Sequence, residues 1–399
     1  MSMSPSGTPE YPSPWWRNAV IYQIYPRSFA DGNGDGTGDL AGVRAHLAYL
    51  RDLGVDAVWF TPWYLSPLGD GGYDVADYRV IDPTFGAIEE AETLIAEAAT
   101  RGLRTIVDIV PNHVSDQHNW FRAALKAGPG SPERARFWFH RGKGEDGSQI
   151  PTRWVSSFQG STWTRTTNPD GTPGEWYLHL FTPEQPDLNW NHLDVRREHE
   201  AIVRFWFDRG VAGIRIDSAA LLIKDPALPE VPADLPPGGH PFTDRDELHD
   251  VYRTWRAIAD SYEEQRVLVG EIWLPDAQRF ADYLRPDGTT AEPWLPQPDW
   301  WGGYAVDAQA VDPASMLSLY RAAITTRRSE PGLRDAPFAW LENSGAGSHV
   351  LAFTRGDIAC LVNFGAEPAS LPQHSTVLLA SGDLPGGQLP TDTAVWLRL

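Results

Sequence analysis

The sequence predicts an α/β fold built on a parallel sheet, and three observations lead to this prediction. Apolar runs of strand length alternate with amphipathic segments, as they do in parallel β/α folds. A glycine stands between such a segment and the next apolar run at Gly54, Gly102 and Gly210, where a helix is expected to end. The chain has 399 residues, enough for one large domain and one small domain.

Five apolar runs are predicted as strands of this sheet. They span residues 19–25, 55–60, 103–110, 211–217 and 266–273. Helices are expected where apolar residues recur at helical spacing. They span residues 41–53, 89–101, 248–263 and 315–328.

The stretch 112–197 lies between the third and fourth predicted strands and is too long for an ordinary connection. It is rich in Trp, Gly and Pro, and we predict an inserted subdomain that walls a cleft. Residues 15–111 and 198–330 then form the main domain. Short apolar runs separated by turns predict a C-terminal antiparallel β domain at 331–399, and residues 1–14 are expected to be a disordered leader.

Composition and charge exclude several classes of partner. Acidic residues outnumber basic ones by 53 to 33, and the net charge of −20 argues against nucleic acid and anionic membranes. The 18 tryptophans fit either sugar-binding surfaces or a large core. Cys360 is the only cysteine, so no intramolecular disulfide forms. The sequence has no recognisable secretion signal and no long apolar stretch, so the expected compartment is the cytoplasm.

Three acids stand at the carboxyl ends of predicted strands, where parallel barrels carry their catalytic groups. They are Asp108, Asp217 and Glu271. Each could simply cap the following turn, but three together, with Arg215 on the same face of its strand as Asp217, favour a site. A carboxylate at the end of an apolar run loses hydration on burial, which costs free energy unless the group is paired or has a functional role.

A separate pattern, DGNGDGTGD, resembles the first part of a calcium loop by its spacing. The alternating oxygen donors are Asp31, Asn33, Asp35, the carbonyl of Thr37, and Asp39. Gly42 stands where an EF-hand has its glutamate, so the loop is not an EF-hand. A structural Ca²⁺ is expected, with Mg²⁺ or a metal-free turn as the alternatives and no organic cofactor.

Six segments, in this order and spacing, resemble the signature segments of the alpha-amylase superfamily of glycoside hydrolases. They span most of residues 15–276, and QPDLN and GYDVADY are more similar to alpha-glucosidases and oligo-1,6-glucosidases than to endo-acting amylases. The six are VIYQIYPRSFAD, GYDVADYRVIDPTFG, DIVPNH, QPDLNWNH, GIRID and GEIW. The resemblance implies a (β/α)8 TIM-barrel type of fold, an alpha-glucoside or maltooligosaccharide substrate, and a structural metal in the loop after the first strand.

The resemblance also implies roles for single residues. Asp217 becomes the nucleophile and Glu271 the general acid and base of a retaining mechanism. Arg215 would hold Asp217 ionised, although a plain internal ion pair is an equal interpretation. Burial beside Trp273 would raise the pKa of Glu271, so that the carboxyl group stays protonated and can act as the general acid.

Four further residues are matched to the substrate site by the resemblance. Asp74 and His113 would bond hydroxyls of the terminal glucose, and Tyr73 would stack on its face. A histidine in this position alone is more often a structural loop residue. Ser218, directly after the nucleophile, is not the valine associated with alpha-1,6 specificity, which favours alpha-1,4 linkages.

The resemblance fails after Asp287, where strands six to eight and their Asn-His-Asp motif are expected and are not found in the sequence. We therefore expect an incomplete barrel of about five strands, with weak activity or none. The alternatives are a non-catalytic glycan-binding relative and a deletion remnant. In a dimer, a second chain would cover the exposed sheet edges, and this oligomeric state is a further alternative. A barrel enzyme for phosphorylated ligands is disfavoured, because the chain has no Gly-rich phosphate loop.

Overall fold

The computed structural model describes residues 14–168, 170–232, 235, 239–274, 279–280, 283, 309–341, 347 and 349–399. Contacts between residues divide the chain into two units, 1–51 with 56–293 and 52–55 with 294–399. The predicted leader lies outside the described residues except for Pro14. No helix in the described part of the chain is long and apolar enough to cross a membrane.

The first unit contains a parallel sheet of five strands in the order β1-β2-β5-β9-β10, and every neighbouring pair is parallel. All five predicted strands are confirmed, each shortened at its ends. Their bounds are β1 Ile21–Ile24, β2 Ala57–Phe60, β5 Arg104–Ile109, β9 Gly213–Ile216 and β10 Val267–Gly270. A short antiparallel ribbon accompanies them, formed by β3 Tyr64–Leu65 and β4 Asp77–Ile81.

Seven helices are described in the first unit, and those that precede β2, β5, β9 and β10 lie where the sequence pattern places them. The seven are α1 Pro26–Phe29, α2 Leu40–Ala45, α3 Leu47–Leu53, α4 Ile88–Thr100, α5 Asn119–Ala127, α6 Leu193–Phe207 and α7 Leu248–Asp260. Gly102 and Gly210 have φ of 77° and 87°, a left-handed conformation that ends a helix and suits glycine. The predicted helix 41–53 is interrupted at His46, whose N–H donates to Val43 O in a tighter turn.

The sheet is packed on its inner face by apolar side chains from several strands. Ala57, Ile106 and Val267 are buried there, with Trp15 and Trp59 packed against them. A valine or isoleucine side chain removed from water stabilises the fold by about 1.5–3 kcal/mol. This packing holds neighbouring strands together and so helps to position the residues at their carboxyl ends.

β1 and β10 are the edge strands of this five-stranded sheet. A cavity of about 440 Å³ lies beside β10 and is lined by Leu268, Gly270 and Ile272 together with Tyr252 of α7. In a closed barrel the next strand would pair with this edge. The stretch 288–301, where the sequence departs from the family pattern, lies outside the described residues.

The predicted insertion forms a small subdomain between β5 and β9. Its antiparallel sheet has the order β6-β8-β7, with β6 Phe139–His140, β7 Trp163–Thr167 and β8 Pro173–Leu178. Trp138, Trp154 and Trp163 form its core. Outside this subdomain core, Trp63, Trp190, Trp206 and Trp255 are also fully buried, so packing accounts for part of the tryptophan content.

The second unit is the predicted antiparallel β domain. Its main sheet has the order β11-β12-β13-β17-β15, and β14 pairs with β16. The bounds are β11 Phe338–Trp340, β12 Val350–Arg355, β13 Ile358–Asn363, β14 Ala369–Ser370, β15 Thr376–Ala380, β16 Gln388–Leu389 and β17 Thr393–Arg398, with helices α8 Met316–Ser329 and α9 Pro331–Asp335. The predicted boundary at 330 differs from the observed division, because α8 packs against β15 within this unit.

Candidate active site

Three carboxyl groups meet at the carboxyl end of the parallel sheet. Asp108 is in β5, Asp217 directly follows β9, and Glu271 directly follows β10. Backbone bonds hold the last two in register, since Asp217 N donates to Ile109 O at 2.8 Å and Glu271 N donates to Ile216 O at 2.9 Å. The order β5-β9-β10 therefore places the three predicted acids side by side, as expected from the sequence.

Arg215 joins all three acids through its guanidinium. Its Nη1 lies 2.7 Å from Asp217 Oδ1 and 3.0 Å from Asp108 Oδ2, and its Nη2 lies 2.8 Å from Glu271 Oε2. The guanidinium carbon also lies 5.2 Å from the centre of the Trp59 ring. The arginine is nearly buried, so these interactions are weakly screened.

The charges of this cluster do not balance when every group is ionised, because three carboxylates share one guanidinium. Retention of a proton relieves the excess negative charge. Burial raises the pKa of Asp108 to about 8, against the lowering effect of Arg215. Burial, and then the charge of Asp217, raises the pKa of Glu271. Trp273, expected to desolvate Glu271, is itself 57% exposed, and its contribution to this burial remains a prediction.

Ser218 contacts both candidate reacting carboxyls. Its hydroxyl donates to Asp217 Oδ2 at 2.8 Å, and its backbone N–H donates to Glu271 Oε2 at 3.1 Å. Its φ of 48° is left-handed, which costs a non-glycine residue about 1–3 kcal/mol and is concentrated at functional sites. The predicted role of Ser218 in linkage preference remains a prediction, and its contact with both acids is the new observation.

Tyr73 lies beside the acid cluster. Its hydroxyl is 3.5 Å from Asp108 Oδ2 and its ring centre is 5.9 Å from the guanidinium carbon of Arg215. The structure thus brings Tyr73 to the predicted site. Stacking on a sugar remains a prediction.

His113 is buried in the segment that follows β5, and burial lowers its pKa, which favours the neutral ring. Its Nδ1 lies 3.2 Å from Asn112 Nδ2, and its Nε2 lies 3.1 Å from both Tyr73 O and Gln185 Nε2. The contacts with Asn112 and with the Tyr73 carbonyl together assign Nδ1 as the acceptor and Nε2–H as the donor, so the Gln185 amide nitrogen, which donates to Asp70, is a neighbour of Nε2 and not its hydrogen-bond donor. His113 therefore holds the Tyr73 loop, and donation to a sugar hydroxyl remains a prediction.

Asp74 is nearly buried and bonds its own loop. Ser66 Oγ donates to Oδ1 at 2.8 Å and Gly69 N donates to Oδ2 at 3.0 Å. In this structure the carboxylate organises the loop, and contact with glucose remains a prediction. Asp70 was not predicted, yet Gln185 Nε2 donates to it at 2.9 Å and burial raises its pKa.

The loop predicted to hold calcium folds around its own carboxylates. Asp31 accepts N–H groups from Gly34 and Gly36 at 2.6 and 2.8 Å, which lower its pKa. Asp39 caps α2 by accepting from Gly42 N at 2.6 Å. In the described ranges no three His, Cys, Asp or Glu side chains form a group that could hold a metal ion, so the predicted Ca²⁺ site still rests on the sequence pattern.

Comparison with known proteins identifies the family. The model of the alpha-amylase catalytic domain matches residues 23–292, more than half of the chain. The chain belongs to the alpha-amylase family. A second family, described as a domain of unknown function, matches residues 347–396 in the C-terminal β domain.

Named relatives of this alpha-amylase family member are glycoside hydrolases. It is 48% identical over 237 residues to trehalose-6-phosphate hydrolase of Escherichia coli K12, covering 59% of this chain and 41% of the relative. It is 46% identical over 216 residues to oligo-1,6-glucosidase of Parageobacillus thermoglucosidasius, covering 54% and 37%. The chain thus matches about two fifths of the length of these relatives.

Solved structures agree with the fold. A mutant of the trehalulose synthase MutB in complex with TRIS gives a TM-score of 0.82 at 25% identity, covering 97% of this chain and 100% of that one. The alpha-glucosyl transfer enzyme XgtA gives 0.80 at 27% identity, covering 97% and 99%. These likenesses, with the family match, support the barrel type of fold and the C-terminal β domain.

The partners of Asp108 do not suit it to take the place of the aspartate of the Asn-His-Asp motif. Its side chain is fully buried and is bound by Arg215 Nη1 at 3.0 and 3.1 Å and by Trp59 Nε1 at 3.2 Å. The side chain has no exposed surface with which to contact a substrate. Asp108 instead adjusts the charge of the cluster that contains Asp217 and Glu271.

Proposed function

We propose that the chain is a retaining alpha-glucosidase type of glycoside hydrolase that acts on terminal alpha-linked glucose of short oligosaccharides. The observation that carries this proposal is the joint binding of Asp217 and Glu271 by Arg215, at 2.7 and 2.8 Å, on adjacent strands. Retaining glycosidases need two carboxyl groups about 5–5.5 Å apart, and neighbouring strand ends suit that spacing.

The two acids take different roles in this mechanism. Asp217, whose oxygens are held by Arg215 and by the Ser218 hydroxyl, attacks the anomeric carbon and forms a glucosyl ester. The raised pKa of Glu271 favours a protonated group that gives its proton to the departing oxygen. Glu271 then takes a proton from water, which hydrolyses the ester with retention, and a sugar acceptor in place of water gives transfer.

The expected rate is low, because the sequence lacks the Asn-His-Asp motif. One oriented polar contact to a transition state contributes about 10²–10³ in rate. A non-catalytic glycan-binding protein and a deletion remnant are therefore the competing interpretations, and the retained pair of Asp217 and Glu271 favours hydrolysis over both.

An uncharged glucoside is favoured over a phosphorylated one. In the described part of the site, the cations Arg215 and Lys224 are already bound to carboxylates. A phosphate is best bound by an arginine or lysine that is free to pair with it. Trehalose 6-phosphate, although it gives one of the relatives its name, is therefore expected to be the poorer substrate. Maltose is expected to exceed isomaltose, because Ser218 follows the nucleophile.

The test is release of p-nitrophenol from p-nitrophenyl alpha-glucoside by the full chain, with Asp217→Asn as the control and a thermal melt of each protein. We expect slow turnover that the control abolishes while its melt stays cooperative. A cooperative melt without turnover would leave the glycan-binding interpretation. Absence of a folding transition would favour the deletion remnant.

A structural Ca²⁺ in the loop from Asp31 to Asp39 is part of the proposal. The alternating oxygens suit a hard cation such as Ca²⁺, with Mg²⁺ as the smaller alternative. The ion would hold the loop before α2 and has no step in the chemistry. No organic cofactor is needed for glycoside hydrolysis.

A further inference from the structure

Lys224 is a fully buried ammonium in the loop that follows β9. Its Nζ donates to Asn112 Oδ1 at 2.6 Å, to the Leu221 carbonyl at 2.8 Å and, more weakly, to the Leu222 carbonyl at 3.5 Å, so its three N–H groups each have an acceptor. Asp187 Oδ2 also lies 2.8 Å from Nζ, as an ion-pair partner outside hydrogen-bond geometry. The contact with Asp187 is an ion pair between two side chains that are both 0% exposed.

Two of these partners belong to segments that surround His113. Asn112 precedes His113, and its Nδ2 lies 3.2 Å from His113 Nδ1 and donates to Asp187 Oδ1 at 3.2 Å. Asp187 follows Gln185, whose amide nitrogen lies 3.1 Å from His113 Nε2. Lys224 therefore joins both sides of the His113 environment.

The third partner belongs to the turn that carries the nucleophile. Leu221 N donates to Ser218 O at 2.9 Å, which closes the turn that begins directly after Asp217. Lys224 Nζ binds the Leu221 carbonyl from within this loop. The same ammonium thus connects the nucleophile turn to the segments around His113.

Stability alone does not account for this arrangement. A buried ion pair is often no more stabilising than an apolar pair of the same volume, because desolvation offsets the attraction. A charge with several fixed partners does specify one geometry, since any displacement leaves a charge buried and unpaired. Lys224 lies where three segments of the site meet, so the geometry that it fixes is the geometry of the site.

We propose that Lys224 is a positioning residue that fixes the nucleophile turn relative to His113. The proposal rests on the proposed hydrolysis and adds a determinant to the same site. Lys224 touches no substrate. It acts through Asn112, Asp187 and Leu221.

The test must separate positioning from folding, because Lys224→Met alone leaves Asp187 buried and unpaired. The Lys224→Met/Asp187→Asn double variant removes both charges and keeps the approximate volume. We expect it to melt cooperatively and close to the wild-type temperature. Its kcat on p-nitrophenyl alpha-glucoside should nevertheless fall about 100-fold with a smaller change in KM, since displacements of about 1 Å have that effect.

Arg134→Met/Glu175→Gln is the matched control, because it too removes both charges of one ion pair. Arg134 is 4% exposed and pairs with Glu175 at 2.6 Å in the inserted subdomain. The control should melt cooperatively, and the folded protein should keep the wild-type kcat and KM. A purely structural Lys224 would behave as this control does.

Amide hydrogen exchange gives a second readout that needs no activity. In the double variant, exchange should accelerate in residues 110–114 and 217–224 but not in β2. Wild-type kcat together with wild-type exchange in these segments would overturn the proposal. If the wild-type chain shows no turnover, the proposed function fails, and the exchange comparison still decides the role of Lys224.

Discussion

The hydroxyl of Ser218 donates to Asp217 Oδ2 at 2.8 Å, while Arg215 Nη1 binds Asp217 Oδ1 at 2.7 Å. Both oxygens of the candidate nucleophile are therefore held by fixed donors. This arrangement orients the carboxylate before substrate arrives. Orientation of this kind lowers the barrier because less reorganisation is needed at the moment of attack.

Removal of the Ser218 hydroxyl should reduce turnover without reducing stability. Ser218→Gly loses the hydrogen bond but relieves the left-handed φ of 48°. We expect kcat to fall about tenfold, the value of one hydrogen bond to a charged group, while the melting temperature stays level or rises. Steady-state kinetics and thermal melts measure both, and an unchanged kcat would exclude a role for the hydroxyl.

Glu271 should set the upper limb of the pH–rate profile. Burial and the charge of Asp217 raise its pKa, so the protonated acid persists above the usual range of a glutamate and is lost as pH rises through the raised value. The kcat/KM profile of the wild type should show this limb. Glu271→Gln can be measured with an activated leaving group, which needs no general acid, and with azide as the nucleophile, which needs no general base. Under these conditions the upper limb should disappear. A limb that survives this substitution would belong to another group.

Asp108 should make the protein less stable as pH rises. Its folded-state pKa of about 8 exceeds that of an exposed aspartate, about 4, so the folded protein binds a proton that the unfolded chain has lost. This contribution is complete below pH about 4 and is lost as pH rises towards about 8. Urea unfolding across this range should show Asp108→Asn gaining stability relative to the wild type as pH rises.

Asp170→Asn is the control for that series. Asp170 is exposed and bonds to Thr172 lower its pKa, so its contribution changes only in acid. The difference in the free energy of unfolding between this control and the wild type should stay flat from about pH 5 to pH 8. A flat result for Asp108→Asn as well would show that Asp108 is ionised throughout.

The parts of the fold that follow from local pattern were predictable from the sequence. Strand β9 and the helix ends at Gly102 and Gly210 depend on apolar periodicity and on residues near in sequence, and they are found as expected. The two-residue strands β14 and β16 were not predicted, because they form only by pairing with each other. The break at His46 was not predicted either, although its tighter turn is local.

The candidate site was predictable to the same extent. Arg215 and Asp217 share a strand face by spacing alone, and the end-of-strand rule brought Asp108 and Glu271 to them. Nothing in the spacing marks Lys224, because a lysine in a loop is normally solvated. Its burial follows only from the meeting of three segments, which no local pattern records.

Calcium should raise the melting temperature of the chain if the loop from Asp31 to Asp39 binds it. Asp35 Oδ1 accepts Thr37 N at 2.8 Å, and an asparagine can keep this turn while losing the charge that a cation needs. Melts after chelation and after addition of calcium should therefore differ for the wild type and coincide for Asp35→Asn. Equal melts for the wild type would remove the metal site from the proposal.

Arg215→Lys should weaken both stability and turnover, although the charge is kept. One planar guanidinium reaches Asp108, Asp217 and Glu271 at once, and a single ammonium cannot reproduce this fork. We expect about 1–3 kcal/mol of lost stability and a loss of kcat of about 100-fold or more. Arg44→Lys is the control, because Arg44 pairs with one carboxylate, that of Glu97, and a lysine can keep this single pairing. This variant should change the free energy of unfolding little in a denaturant titration and should leave kcat unchanged.

Equal losses in the two variants would contradict the prediction. They would show that the three simultaneous contacts of Arg215 add nothing that a lysine cannot supply.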